Sequence, residues 1–534
     1  MKQYDAVVVG GGHNALVTAA LLARKRWKVL VLERRGVVGG AASTGEIFPG
    51  CRVNIAAQDA GLFPAQLAAD LGLGSHGLEW VRPPALATSL TGGGDALTLW
   101  HDPARSRGEI AAHNRADAAR FPDWADYLRS MARVLRVALD HPAPALHEMT
   151  RRERFRLLRP LIRAGRLGKR TVVELLRVAP LPARDLLDDW FAGDTLKGML
   201  GSSALLGASH GPSAMGGALR MLYHATGRDP RGFRSSAFVK GGIGALSAAL
   251  AASARAHGAE VRTGAEVHRI VVEHGAATGV LLARGEEIPA RFVISGVDPR
   301  RTFFGLVGAP RLGPEFNRKV ANIRLRGTTA TLHLLLDGLP PLADAAERLA
   351  GHTVVAPSLD YLERASDDAK YGRCSARPHL DMVIPTLHDP GLAPAGRHVA
   401  SIQVRYAPYR LCGTSWEDPA TRAAVLASVL DVLGDFLPGM RDRIVDRRLL
   451  TPRDLEAELG LTDGDDYHGQ MGLDQMLFMR PIAGWAGYAT PVEGLFLCGA
   501  ACHPGGGVTG GPGRLAAGEI LRERRRVARL TRPS

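Results

Sequence analysis

Cysteine is scarce: five residues in 534 (Cys51, Cys374, Cys412, Cys498 and Cys502), scattered and odd in number. That excludes a disulfide framework and points to a reducing compartment. No stretch approaches the ~18 consecutive apolar residues of a spanning helix, and no charged n-region with an apolar h-region opens the chain. Neither secretion nor membrane spanning is therefore expected, and the chain reads as cytoplasmic. HExxH spacing, a GxSxG elbow and a P-loop are all missing, so no metal site is expected. Acidic residues are in deficit, 53 against 67 basic, for a net charge of +14. A basic balance favours anionic partners in general. No nucleic-acid recognition motif accompanies it, and no nucleic-acid partner is expected. No internal repeat is found.

What is present suits a large soluble globular chain, with 46% hydrophobic and 22% charged residues and length for about three packing units. The opening is a βαβ unit: an apolar run Ala6 to Gly10, helical periodicity over His13 to Arg26, and a second run Lys28 to Glu33. Between the first strand and the helix stands Gly10-Gly11-Gly12-His13-Asn14-Ala15, a G-x-G-x-x-A turn. Such a turn lets backbone N–H groups meet a pyrophosphate at the helix N-terminus. Glu33 closes the next strand, where a carboxylate accepts hydrogen bonds from both ribose hydroxyls of an adenosine. Arg34 beside it is placed in the same cofactor-binding set. NAD and FAD both fit this unit.

Two later segments extend the pattern. Gly39-Gly40-Ala41-Ala42-Ser43 supplies a second small-residue turn where a longer cofactor passes against backbone. Gly499-Ala500-Ala501-Cys502-His503-Pro504-Gly505-Gly506-Gly507-Val508 follows an apolar strand, and Pro512 suits the first turn of the last helix. If the pyrimidine edge of a flavin lies before that helix, its partial positive charge stabilises the reduced ring by up to ~2 kcal/mol.

The stretches YDAVVVGGGHNALVTAALLA, GGAAS, APSLDYLERASDDAKYGRCS, DLEAELGLTDGDDYHGQMGLDQMLFMRPIAGWAGY and GLFLCGAACHPGGGVTGGPGRLAA carry a resemblance to a known family. From residue 4 to about 522 the chain resembles the phytoene desaturase-related FAD-dependent oxidoreductases. Within that family it is nearest the subgroup named for a pyridine nucleotide-disulfide oxidoreductase domain. The resemblance implies an α/β fold in which a Rossmann-like FAD-binding domain is interrupted by a mixed α+β substrate domain, the architecture of amine oxidases and desaturases. Residues 1–80, 235–310 and 479–534 then form the FAD-binding domain. Residues 81–234, with a helical insertion, and 311–478 form the substrate domain. Carried over, Gly10, Gly12 and Ala15 meet the FAD pyrophosphate, Glu33 the adenosine ribose, and Gly39 and Gly40 the following turn. Val267 faces the adenine through its backbone, while Gly499, His503, Gly507 and Val508 lie along the ribityl chain and flavin ring. The family pattern has Gly-Thr where Ala501-Cys502 stand and Ala where Gly511 stands.

Disulfide reduction needs two nearby cysteines; Cys498 and Cys502 are four apart but flank a glycine turn, and a strand-end cysteine is more often a small buried hydrophobe. Gly242-Ile243-Gly244 resembles a second dinucleotide turn, but no carboxylate closes its next strand, so a structural turn is the better reading. His503 is the one imidazole inside a cofactor motif and is the candidate catalytic residue, orienting substrate or relaying a proton; holding the glycine loop together is the alternative role. Trp485 and Tyr488 are candidate cavity walls or core, and Arg480 a partner for a buried carboxylate.

The expected reaction is hydride transfer from a substrate C–H to flavin N5, as desaturation or amine oxidation, with oxygen or a quinone as acceptor. The substrate is expected to be small and apolar, or an amine. Saturation or cis/trans isomerisation of a polyene is the alternative within the fold, and an FAD-bound partner or regulatory protein the alternative outside catalysis. Residues 151–178 hold ten Lys or Arg interleaved with aliphatic residues. They read either as a surface for anionic membrane, making the enzyme peripheral, or as an Arg-rich solvated face. Oligomeric state is not legible.

Overall fold

The computed structural model describes residues 4–143, 168–228 and 231–530, together with 162 and 165–166. Two seven-stranded sheets organise them. The first begins with Tyr4–Val9, whose side chains are almost all buried, as a strand covered on both faces requires. It pairs in parallel with Val29–Leu32 on one side and Glu287–Ser295 on the other. Glu260–Arg262 extends the first edge, and Leu495–Leu497 joins Glu287–Ser295 in parallel. Thus strands from the beginning, middle and end of the chain share one sheet.

Helix His13–Ala23 is buried along nearly its whole length between helices Gly244–Ala256 and Gly511–Leu530. The approach is close enough that a Cβ on Gly513 would lie 2.1 Å from the Asn14 carbonyl oxygen. Helix Gly244–Ala256 starts at the second glycine turn, where Asn54 Oδ1 accepts from Ile243 N and Thr44 Oγ1 accepts from Gly244 N. Side chains thus already occupy the N–H groups that a second dinucleotide would need, and the structural reading of that turn holds.

The second sheet runs in the order Ile444–Leu450, Thr329–Leu336, His398–Arg405, His379–Val383, His352–Val355, Ala85–Gly92 and Asp95–Trp100. Its last two strands show that residues 81–234 open with a buried strand pair and that the helical part begins only after Trp100. Helices follow them: Pro103–His113, Arg115–Leu139 and, after Pro182, Ala183–Asp188. Alternation gives the sheet two unlike faces. Leu332, Leu334, Leu380, Ile402 and Val404 pack with Val429 and Leu433 of helix Pro419–Phe436. Asp381, Gln403 and Arg405 point to the other side, toward the cleft between the sheets.

Candidate functional site

The first turn leaves the start of its helix uncapped. Gly10 has φ +89°, which glycine adopts without strain, and Gly12 precedes helix His13–Ala23 with no side chain capping it. A Cβ on Gly12 would meet no protein atom within 4 Å. Open space at an uncapped helix N-terminus fits a pyrophosphate. Ala15 serves packing instead: a Cβ on Gly296 would lie 2.9 Å from the Ala15 Cβ, so small residues here let helix and strand approach. The Glu33 carboxylate accepts from Gly11 N at 2.7 Å and Arg35 N at 2.9 Å, which fixes its direction while leaving lone pairs unused. Gly39 bridges to Gly12, and Gly39 N donates to Gly11 O. Gly40, at φ +57°, packs beside Gly12.

Two separate hollows flank the first turn. Gly10, Glu33, Arg34 and Val267 line the first, closed by Leu459 and Gly460. Arg34 reaches across it to the carbonyl oxygens of Ala457 and Glu458. At the second, His13 and Ala41 meet Gly507 and Val508 of the final glycine loop. Gly499 is not in this group; its Cα approaches the backbone so closely that a Cβ would sit 2.6 Å from Gly296 O.

The second hollow is strongly polar. His352 donates from both ring nitrogens, Nδ1 to Asp381 Oδ1 at 2.9 Å and Nε2 to Asp59 Oδ2 at 3.1 Å. Arg234 Nη2 donates to Asp381 Oδ2 at 2.5 Å. Burial works against every charge in this quartet, but each is outweighed by its opposite. Arg234 and His352 hold the Asp381 carboxyl well below the usual range and lower Asp59 as well. Asp381 and Asp59 raise the pKa of His352 despite burial and the repulsion of Arg234. Arg405 and the half-buried Asp466 complete the lining with Gln403 and Tyr467. Burial raises the Asp466 carboxyl, with Arg405 opposing, and lowers the His13 and His224 imidazoles to about 4 and about 3.

His503 stands elsewhere. Its ring is 1% exposed, Nε2 lies 3.2 Å from the Ala138 carbonyl oxygen, and burial lowers its pKa to about 4. Tyr488 Oη donates to the His503 carbonyl. The imidazole therefore braces the glycine loop against the end of helix Arg115–Leu139 and does not line the cleft. Tyr488 is buried, and Trp485 packs edge-on against Phe316, so neither walls the cavity. Arg480 donates only to main-chain carbonyls, those of Tyr467, Gly469, Gln470, Gln475 and Ala500, and so clamps the loop. Cys498 and Cys502 are free and buried, and burial pushes both thiols up, Cys498 to about 12. Thiols held protonated are poor redox nucleophiles.

Among the described residues no group of side chains could hold a metal ion, and no helix is long and apolar enough to cross a membrane. The basic segment 151–178 lies largely outside the described residues. Its final helix, Lys169–Val178, exposes Val173 and Leu176.

Sequence reasoning misses Asp59, Arg234, His352, Asp381, Arg405 and Asp466, which come from six separate places in the chain. The available signal is a charge amid apolar neighbours, as in SIQVRY around Arg405 and HLDMV around Asp381.

Residues 8–59 match the model of the NAD(P)-binding Rossmann-like domain. The chain is 36% identical to the rat pyridine nucleotide-disulfide oxidoreductase domain-containing protein 2, over 98% of this chain and 94% of that protein. It is 28% identical to the neurosporene-forming phytoene desaturase of Cereibacter sphaeroides over 53% of this chain and 52% of that one. An oxidoreductase from Methanosarcina mazei, 16% identical, shares the fold with a TM-score of 0.60 over 97% of this chain and 99% of its own. The interleaved sheets, the uncapped first turn and these relationships together place the chain in the phytoene desaturase-related family of FAD-dependent oxidoreductases, in the pyridine nucleotide-disulfide oxidoreductase domain-containing protein 2 group.

Proposed function

We propose that the chain binds FAD across these two hollows and oxidises a small polar substrate at the second, with oxygen or a quinone as final acceptor. One observation carries the reading: Gly10, Glu33 and Val267 line one hollow, His13, Ala41, Gly507 and Val508 line another, and Gly12, at the turn that leads from Gly10 to His13, faces open space. The N-terminus of helix His13–Ala23 would hold the pyrophosphate, Glu33 the ribose, and Gly507 and Val508 the ring end. When bound, the flavin supplies the hydride acceptor.

The chain's own residues do the rest. The Asp59–His352–Asp381–Arg234 quartet forms a polar wall of the cavity that also holds Gly507 and Val508, and its charged partners hold one another in place. Asp466 is the lining carboxylate whose affinity for a proton is raised by burial, so it is the group fit to hold a proton given up by the substrate. His13 and His224, neutral at physiological pH, line the cavity without adding charge. Walls of this kind favour a polar molecule over a polyene, whose burial against unpaired polar groups would be costly.

Anaerobic mixing with a panel of amines and polyenes tests the reading. Bleaching of the yellow protein by a polar substrate is expected. Polyene turnover without bleaching would favour isomerisation, and a panel that never bleaches the flavin would favour a binding role.

A further inference from the structure

Three of the four charged groups of the quartet are satisfied within it, and the fourth nearly so. Two carboxylates, one guanidinium and one imidazole of raised pKa sum to no net charge. Arg405 stands outside that balance. It is 2% exposed, its Nε has no hydrogen-bond partner, and Nη1 reaches only the Leu205 carbonyl oxygen at 3.5 Å. Among the described residues no carboxylate comes within ion-pair distance of it, and Asp466, which lines the same cavity, is no exception. The Arg234 Nε, 4% exposed as a residue and also without a partner, is a second unused donor in the cavity lining.

An isolated buried guanidinium is costly unless an anion completes it. Asp381 cannot be lent to it without breaking the quartet. We propose that Arg405 is the anchor for a carboxylate on the substrate, so that the class oxidised is small carboxylate-bearing molecules. The planar fork of a guanidinium matches the two oxygens of a carboxylate. A single guanidinium with unmet donors suits a monoanion better than a phosphate monoester, which carries close to two negative charges. The cavity that holds Arg405 also holds Gly507 and Val508, so a molecule anchored there reaches the final glycine loop. The placement of a reacting C–H rests on the flavin reading above; the anion subsite does not.

The test is calorimetry on the protein as purified, with its flavin content measured in the same sample. Hexanoate, hexanamide and hexylamine present one chain with anionic, neutral and cationic heads. Hexanoate is expected to bind at least about tenfold more tightly than hexanamide, and hexylamine more weakly still. Arg405→Met should weaken hexanoate by about tenfold to a hundredfold. Arg405→Lys, which keeps the charge and loses the fork, should fall between. Asp466→Asn should bind hexanoate as well as or better than the wild type. Equal binding of hexanoate and hexanamide, preference for hexylamine, no binding of any of the three, or an Arg405→Met protein that binds hexanoate unchanged would each overturn the proposal. If Arg405→Met fails to fold, Arg405→Lys and the wild-type series decide. Arg405-dependent binding of hexanoate to protein that takes up no flavin would sink the oxidoreductase reading and leave the subsite standing.

Discussion

Asp381 accepts from Arg234 and His352 inside a closed cavity wall, and removing its charge leaves both partners stranded. Asp381→Asn is expected to cost about 3–5 kcal/mol in urea unfolding. The His352 contribution depends on pH in a definite direction. Its folded pKa is raised above 6.5, so its stabilisation is complete below the unfolded value and is lost as pH rises through the folded one. The gap in unfolding free energy between wild type and His352→Gln should therefore be wide near about pH 6 and narrow near about pH 9; a gap that widened with pH would contradict the quartet. His503→Ala should retain flavin, lower stability by about 1–3 kcal/mol and leave the rate of flavin reduction unchanged, as stopped-flow absorbance would show. Gly10, Gly12 and Glu33 are legible from sequence because a turn, a helix start and a strand end lie within one short unit. Arg234 and Arg405 are not, because one stands in a loop before Phe238–Val239 and the other ends strand His398–Arg405, and only the tertiary fold brings them to the same cavity. His503 has the right motif and the wrong direction: its ring faces Ala138, a contact 365 residues away in sequence.

Two glycines on facing helices separate binding from packing. A Cβ on Gly12 would enter open space, whereas one on Gly513 would strike the Asn14 carbonyl at 2.1 Å. Gly12→Val should therefore fold with a thermal midpoint near that of flavin-free wild type, yet purify colourless. Gly513→Val should lose at least about 1–3 kcal/mol of stability through overpacking. A yellow Gly12→Val protein would remove the first turn from the cofactor site. The strands Thr329–Leu336 and His398–Arg405 are readable to within a residue or two, since apolar and β-branched residues are dense in both. The pair Ala85–Gly92 and Asp95–Trp100 escapes notice because the Arg-rich helices that follow dominate the composition of that region.

Taken whole, the molecule is an interleaving: the chain leaves the first sheet after its opening unit, returns for its middle strands, leaves again, and returns for Leu495–Leu497. The glycine-marked returns are visible in sequence. The polarity of the cavity is not, since it arises where one face of the second sheet meets the final loop, and no local pattern encodes that meeting. Because the proposed cofactor site draws on all three visits to the first sheet, it is complete only when the last segment is in place. The decisive measurement is to purify the full chain after growth with ample riboflavin, denature it and quantify the released flavin. About one FAD per chain is expected; folded, reconstituted protein that releases none would contradict the cofactor assignment on which the proposed oxidation rests.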